Sequence, residues 1–261
     1  MADSISFDRA ADFYDETRGF PSGVETPVMA LIAQAGDLTP ENRILEIGIG
    51  TGRIALPLAR FTGARVYGGD ISMGMMARLL AKRADEVVHP TQADAAALPF
   101  ASRTFDRVIV SHVFHLVHDV DTVLNELART LKPDGRLLHC WHTNDQTLAG
   151  ARQAAASVIQ SEARRTTNWR RGFNALDENG WVQQGAPLTM RYVTREKPSR
   201  LLEQYRSRCW SSTWYISDED IDRGYEAMHT YLTDTYGTLD APIEVDHVYS
   251  VAVYTPPSAH S

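Results

Sequence analysis

The sequence predicts an α/β chain built on a doubly wound, mostly parallel sheet. Three observations point there. Short apolar runs alternate with amphipathic helical stretches from residue 44 to residue 141. Several runs, such as Phe105–Ser111, are apolar almost without interruption, as strands covered on both faces must be. The first run opens directly into a turn with glycine at alternate positions, Gly48, Gly50 and Gly52. Alternation of this kind predicts right-handed crossovers and parallel pairing.

Taken in order, residues 5–18 place Phe7, Ala10, Ala11 and Tyr14 on one helical face. Residues 24–35 read as a second helix, broken by Asp37-Leu38-Thr39-Pro40. Ile44-Leu45 begins the first strand, which ends at Glu46, and the helix after the turn carries Ile54, Leu56, Leu58 and Ala59. Arg65–Gly69 is a second strand ending at Asp70. A third ends near Gln92, and Phe105–Ser111 is the fourth. Val123, Leu124, Leu127, Ala128 and Leu131 share one face of a helix over 119–131. Lys132-Pro133-Asp134-Gly135 reads as a turn, and Arg136–Trp141 as strand five. Residues 145–185 look helical, with a break at Asn179-Gly180. Strand six is expected over 188–196, a helix start at Ser217-Asp218-Glu219-Asp220, and a last strand over 244–254. The expected organisation is one domain from 1–198 and 242–261, residues 1–36 forming a helical lid, with a helical cap over 199–241 inserted before the last strand.

Composition narrows the function classes. The chain has 261 residues, 43% hydrophobic and 23% charged, which suits a globular α/β domain with an insertion. A net charge of −7 argues against a broad nucleic-acid surface. No apolar stretch is long enough to span a bilayer, no secretory signal pattern is found, and the two cysteines do not make a disulfide framework. The expected setting is the cytoplasm, with a homodimer as the candidate assembly.

The glycine turn separates two ligand classes. A dinucleotide fingerprint requires G-x-G-x-x-G, and the position due for its last glycine is Arg53. The pattern is instead E-x-G-x-G-x-G. A carboxylate before the turn repels a pyrophosphate and suits a cationic ligand. Asp70 follows Gly50 by 20 residues, where an acid at the tip of the next strand can accept both ribose hydroxyls.

With these features the chain resembles class I S-adenosylmethionine (SAM) methyltransferases, in the small-molecule branch that includes the ubiquinone/menaquinone-type enzymes. The resemblance spans roughly residues 5–141. It rests on Glu46–Gly52, on Asp70-Ile71-Ser72 through Met75, on Asp94-Ala95 through Phe100, and on Ser111. It implies a Rossmann-like, seven-stranded, mostly parallel sheet with the last strand antiparallel. It further implies that Glu46, Gly48, Gly50, Gly52, Asp70 and Ser111 line the cofactor site, that Ile71 and Met75 flank the adenine, and that Asp94 and the Ala95 N–H bond its edge. Tyr14 and Arg18 would lie near the methionine end. The implied cofactor is SAM, the product S-adenosylhomocysteine, and the partner a small-molecule acceptor rather than nucleic acid or membrane.

Transfer from a sulfonium needs alignment more than acid–base help. Where the acceptor is a hydroxyl or an acidic carbon, His112 after strand four and His142 after strand five are the candidate bases. His112, His115 and His118 lack a second Cys/His pair that would complete a zinc site, so no metal is expected. Arg195, Arg200, Arg206 and Arg208 could hold an anionic acceptor. Two rival readings remain: a non-catalytic SAM or nucleoside binder, and a nicotinamide-dependent oxidoreductase.

Overall fold

A computed structural model describes residues 6–144, 146–159 and 169–257. Its elements, in order, are α1 (Tyr14–Arg18), α2 (Glu25–Gly36), β1 (Arg43–Ile47), α3 (Ala55–Thr62), β2 (Arg65–Asp70), α4 (Met73–Lys82), β3 (Val88–Gln92), β4 (Phe105–Ser111), α5 (Val120–Thr130) and β5 (Leu131–Asn144). There follow α6 (Gln146–Val158), α7 (Trp169–Glu178), β6 (Val182–Gln183), β7 (Leu188–Glu196), α8 (Pro198–Arg206), α9 (Asp218–Tyr236) and β8 (Ile243–Thr255).

Among the described residues one sheet of eight strands runs β3-β2-β1-β4-β5-β8-β6, with β7 also paired to β8. The strands β1 to β5 are parallel neighbours, and β6 meets β8 antiparallel. The sequence reading has seven strands; the eighth is the two-residue β6, too short to leave a periodic signal. Strand order reverses direction between β1 and β4. Such a switch point opens a crevice at the carboxyl ends of the strands.

Two compact units are present. The first comprises Met1–Trp141, Trp169–Met190 and Tyr249–Ser261. Its strands divide their side chains between two cores. Ile44, Val66, Ile109 and Leu138 pack with Val28, Met29 and Ile32 of α2, Leu58 of α3 and Leu79 of α4. Their chain neighbours Leu45, Val108, Val110 and Leu137 pack with Val123, Leu124 and Leu127 of α5 and Leu176 of α7. Burial on both faces is the reason these strands read as unbroken apolar runs; each such side chain contributes about 1.5–3 kcal/mol. The second unit comprises His142–Asn168 and Arg191–Val248. Its core joins Leu148 and Ala151 of α6, Leu201 and Leu202 of α8, Met228 and Leu232 of α9, and Val245. Residues 199–241 fall inside this unit.

Local chemistry accounts for several boundaries. Ser72 caps α4, its hydroxyl accepting from Met75 N, and Ser217 caps α9 by accepting from Asp220 N. Gly180, at φ 73°, closes α7, and Trp181 N then reaches back to Leu176 O. Two expectations are corrected. The described residues 6–18 do not form one helix: a single 3-10 turn at Asp8–Ala10 precedes the short α1, and acids along this segment bond outward to other elements. The run Lys132–Gly135 does not precede strand five as expected. It lies within β5, where the register jumps from Phe105↔Leu131 to Arg107↔Arg136, so these residues bulge out of the ladder.

Candidate active site

The first unit gathers the glycine turn, Asp70 and the N-terminal segment. Gly48, Gly50 and Gly52 all hold positive φ (67°, 53° and 77°). The turn is tied to β2 because Gly48 N donates to Gly69 O at 2.8 Å. Gly50 N donates to Asp70 Oδ2 at 2.8 Å, and Ser72 N donates to Asp70 Oδ1 at 2.8 Å. The Asp70 carboxylate is thereby fixed across the mouth of the turn, each oxygen keeping a further lone pair for a ligand hydroxyl. Burial raises its pKa above the ordinary value, while the N–H donors of Ser72 and Gly50 oppose that shift. A Cβ at Gly50 would sit 3.3 Å from the Met75 Cε and in a left-handed backbone. Only glycine leaves that surface bare.

Glu46, the next-to-last residue of β1, is 4% exposed. Burial raises its pKa to about 8, with Arg53 opposing the shift and Asp70 adding to it. Its Oε2 has no hydrogen-bond partner among the described residues. A carboxylate oxygen is rarely buried in this way unless something else satisfies it. Ser111, at the end of β4, lies beside the buried Tyr249 hydroxyl.

The segment 7–20 straps across the turn and α4. Ser72 Oγ and Gly74 N both donate to Asp8 Oδ1, at 2.5 and 2.9 Å, holding the Asp8 carboxyl below its usual pKa. Thr51 Oγ1 donates to Asp15 Oδ1 at 2.5 Å, and Lys82 pairs with Asp15 at 2.6 Å. Arg53 Nη1 donates to Arg18 O at 3.2 Å, and its guanidinium lies 4.9 Å from the Phe20 ring centroid. Tyr14 packs edge-on against Phe7. Burial first, then the Arg18 charge, lowers the His115 pKa.

The other expected residues lie as follows. Met75 is buried and Ile71 half-buried, with Gln92 Nε2 donating to Ile71 O at 3.3 Å. Asp94 is exposed; its Oδ1 accepts from Ala96 N at 2.9 Å in a turn that buries Ala95. His112 is exposed and holds φ 56°, a left-handed conformation uncommon outside glycine. Such backbone costs about 1–3 kcal/mol and concentrates at functional sites. His142 belongs to the second unit, two residues past Cys140, the register partner of Ser111. Its Nε2 is 3.0 Å from Tyr192 OH and 3.1 Å from His247 Nδ1.

Arg208 cannot serve as a free anion clamp. Its guanidinium donates to Thr213 O and Ile216 O and pairs with Asp218, so it closes the loop before α9. Arg206 stacks over Tyr225 at 4.1 Å and faces Asp222 at 3.5 Å. Among the described residues no three His, Cys, Asp or Glu side chains gather in a metal-binding group.

The sequence reading missed Asp8, Asp15 and Thr51, which hold the strap, and the partners of His142. A signal was available for the latter: Tyr192, Thr194 and Glu196 alternate along β7, as residues on one strand face do.

Comparisons with known proteins agree with this geometry. Residues 45–139 match the family model described as a methyltransferase domain. The demethylmenaquinone methyltransferase of Streptomyces avermitilis is 39% identical over 139 residues, which is 51% of this chain and 57% of that protein. The chain thus spans little more than half the length of that relative. A Haemonchus contortus phosphoethanolamine N-methyltransferase 2, solved with phosphomonomethylethanolamine and S-adenosylhomocysteine, superposes with TM-score 0.55 at 21% identity, over 96% of this chain and 58% of that one. The [4+2]-cyclase SpnF superposes with TM-score 0.54 at 18% identity, over 89% of this chain and 80% of that one. The fold is the Rossmann-like class I methyltransferase fold, and one of its structural relatives bears the name of a different reaction.

Proposed function

We propose that this chain, with its methyltransferase domain at residues 45–139, transfers a methyl group from SAM to a small-molecule acceptor and leaves S-adenosylhomocysteine. The observation that carries the reading is the pair of acids at the turn. Asp70 is held by backbone N–H groups at the rim, and behind it Glu46 is buried with an unsatisfied oxygen. A cationic nucleoside satisfies both, whereas a pyrophosphate satisfies neither.

The residues present fit that cofactor. The bare backbone of Gly48, Gly50 and Gly52 would receive it. Asp70 would accept from the ribose hydroxyls, Asp94 and Ala95 would meet the adenine edge, and Ile71 and Met75 its faces. Tyr14 and Arg18 on the strap would close over the methionine end near Glu46 and Ser111. When bound, the cofactor supplies an activated methyl group. The protein's part is to align the acceptor and exclude water, an effect on the order of 7–11 kcal/mol where alignment is good. For an acceptor that must lose a proton, His112 and His142 are the candidate bases. The segment 199–241 is read as a substrate cap and 1–36 as a lid. The naming of the relatives as quinone methyltransferases supports a reduced quinone as the first acceptor to try. A cytoplasmic setting is part of the proposal; among the described residues no helix is long and apolar enough to cross a membrane.

Calorimetric titration with SAM, S-adenosylhomocysteine and NAD tests the site. Binding of the first two, lost in the Asp70→Asn/Gly50→Val double variant, supports the reading. Binding of NAD alone overturns it. Transfer of labelled methyl from SAM to 1,4-naphthohydroquinone, or to a pool of small metabolites, tests the activity. SAM binding without transfer to any of them favours the non-catalytic reading.

A further inference from the structure

In the first unit, the loop that follows β3 is held by an ion pair on α5. Glu126 and Arg129 lie one turn apart on that helix, and the guanidinium meets the carboxylate twice, Nε to Oε1 at 2.7 Å and Nη2 to Oε2 at 2.8 Å. The pair does not end on itself. Glu126 Oε2 accepts from Leu98 N at 3.0 Å, Arg129 Nη2 donates to Leu98 O at 3.1 Å, and Arg129 Nη1 donates to Phe100 O at 2.8 Å. Leu98 is thus gripped by both of its backbone groups, as a neighbouring strand would grip it. It is 5% exposed, so those groups need partners from the protein. The same helix end holds the loop further on, where Arg103 N donates to Arg129 O at 2.9 Å and Thr104 N to Thr130 O at 2.8 Å.

A short run of backbone carries this grip to Asp70. Ala93 N donates to Asp70 O at 3.0 Å, Ala97 N to Asp94 O at 3.0 Å and Ala96 N to Asp94 Oδ1 at 2.9 Å. Ala95 and Leu98 are buried in one core. A Cβ on Gly69 would stand 3.4 Å from the Leu98 Cδ2, so the Leu98 side chain lies against the strand that carries Asp70. The turn over residues 94–97 is therefore fixed at both ends, by Asp70 before it and by Glu126 and Arg129 after it. Its three alanines, Ala95, Ala96 and Ala97, have no polar side chain with which to fix it from within. The hydrogen bond from Arg129 holds the Glu126 carboxyl below its ordinary pKa, against partial burial, so the pair stays ionised at neutral pH.

We propose that Glu126 and Arg129 are positioning residues that set the base specificity of the nucleoside site, by fixing Leu98 and through it the turn that presents the Asp94 carboxylate and the Ala95 N–H. This rests on the reading of Asp94 and Ala95 given under Proposed function. Adenine offers an exocyclic N–H to a carboxylate and a ring lone pair to an N–H. Hypoxanthine reverses both, with a carbonyl in place of the amine and an N–H on the ring. A carboxylate and an N–H held in fixed register reject it, because each would face a group of its own kind. A turn free to shift gives up part of that rejection.

The test compares calorimetric binding of S-adenosylhomocysteine and S-inosylhomocysteine to the whole chain in wild type, Glu126→Gln, Arg129→Met, Arg129→Lys and Arg60→Met, with amide exchange and a thermal melt of each. Arg60→Met breaks the Arg60–Glu86 ion pair and controls for the loss of an ion pair as such. Wild type should prefer the adenosyl ligand about 100-fold or more. In Glu126→Gln and Arg129→Met that preference should shrink about 10-fold, because the adenosyl Kd weakens while the inosyl Kd does not. Arg129→Lys, which keeps the charge and loses the fork, should fall between, and Arg60→Met should match wild type. Amide exchange over residues 94–98 should quicken in Glu126→Gln and Arg129→Met and stay unchanged over Phe105–Ser111. A wild-type preference in folded Glu126→Gln, or a loss of affinity shared equally by both ligands, overturns the inference, since an ion pair that serves stability alone would behave so. Glu126→Gln keeps the shape of the side chain and decides the matter even if Arg129→Met fails to fold. A wild type that binds both ligands alike overturns the reading of Asp94 and Ala95, and one that binds neither overturns the cofactor reading, so the three failures are told apart.

Discussion

Replacing Glu46 by Gln should remove most of the pH dependence of cofactor binding. In the ligand-free protein burial raises the Glu46 pKa to about 8, so at pH 7 about nine carboxyls in ten hold a proton. A sulfonium ligand favours the ionised form, so binding at pH 7 should expel about 0.9 proton from this group, and Kd should tighten by up to about 50-fold between pH 6 and pH 8. The amide that replaces the carboxyl in Glu46→Gln cannot ionise. Protons exchanged by the ligand itself are common to both proteins, so the difference isolates Glu46. The assay is calorimetric titration of SAM in buffers of different ionisation enthalpy, at pH 6, 7 and 8, on wild type and Glu46→Gln. Equal proton release from the two proteins would refute the reasoning. The same group sets a stability trend without ligand. Its folded pKa lies above the unfolded value near 4.5, so the folded state binds more protons between pH 4.5 and 8. Stability should fall as pH rises through that window, by about 5 kcal/mol at most, and the variant should lack that fall.

Three further outcomes are expected. Asp70→Asn, which removes the charge proposed to meet the ribose, should weaken SAM binding about 10- to 100-fold by calorimetry, as loss of charged hydrogen bonds of about 1.5–3 kcal/mol requires. His139 is buried between Phe114 and Trp141, and burial lowers its pKa to about 4. The folded state then resists protonation, so stability should drop as pH falls from about 6.5 towards 4, and urea melts of His139→Phe should show a shallower acid decline. Asp8→Ala, which frees Ser72 Oγ and Gly74 N, should cost about 1 kcal/mol and speed amide exchange over residues 7–18 while leaving exchange in β1 and β4 unchanged.

The parts of the site legible in the sequence are those that a short stretch of chain determines alone. The glycine turn is one: positive φ at Gly48, Gly50 and Gly52 is a local demand, and each glycine advertises it. Asp70 is another, because a fixed crossover length sets it about 20 residues downstream at the tip of the neighbouring strand. The doubly covered strands were legible because burial on two faces erases polar residues from Ile44-Leu45 and Val108–Val110. The seams of the chain were harder: the jump in β5 register depends on how β4 pairs, and the two-residue β6 has no period to read.

By itself, then, the order of residues determined the sheet, the turn and the acids that face it, since each follows from backbone conformation or from local periodicity. Only tertiary structure decided where Asp8 and Asp15 anchor, that Arg208 is tied to its own loop, and that His142 meets His247, from which it is separated by 105 residues. Contacts between distant segments depend on strand pairing and on which face a side chain takes, and neither is encoded by the neighbours of the residue concerned.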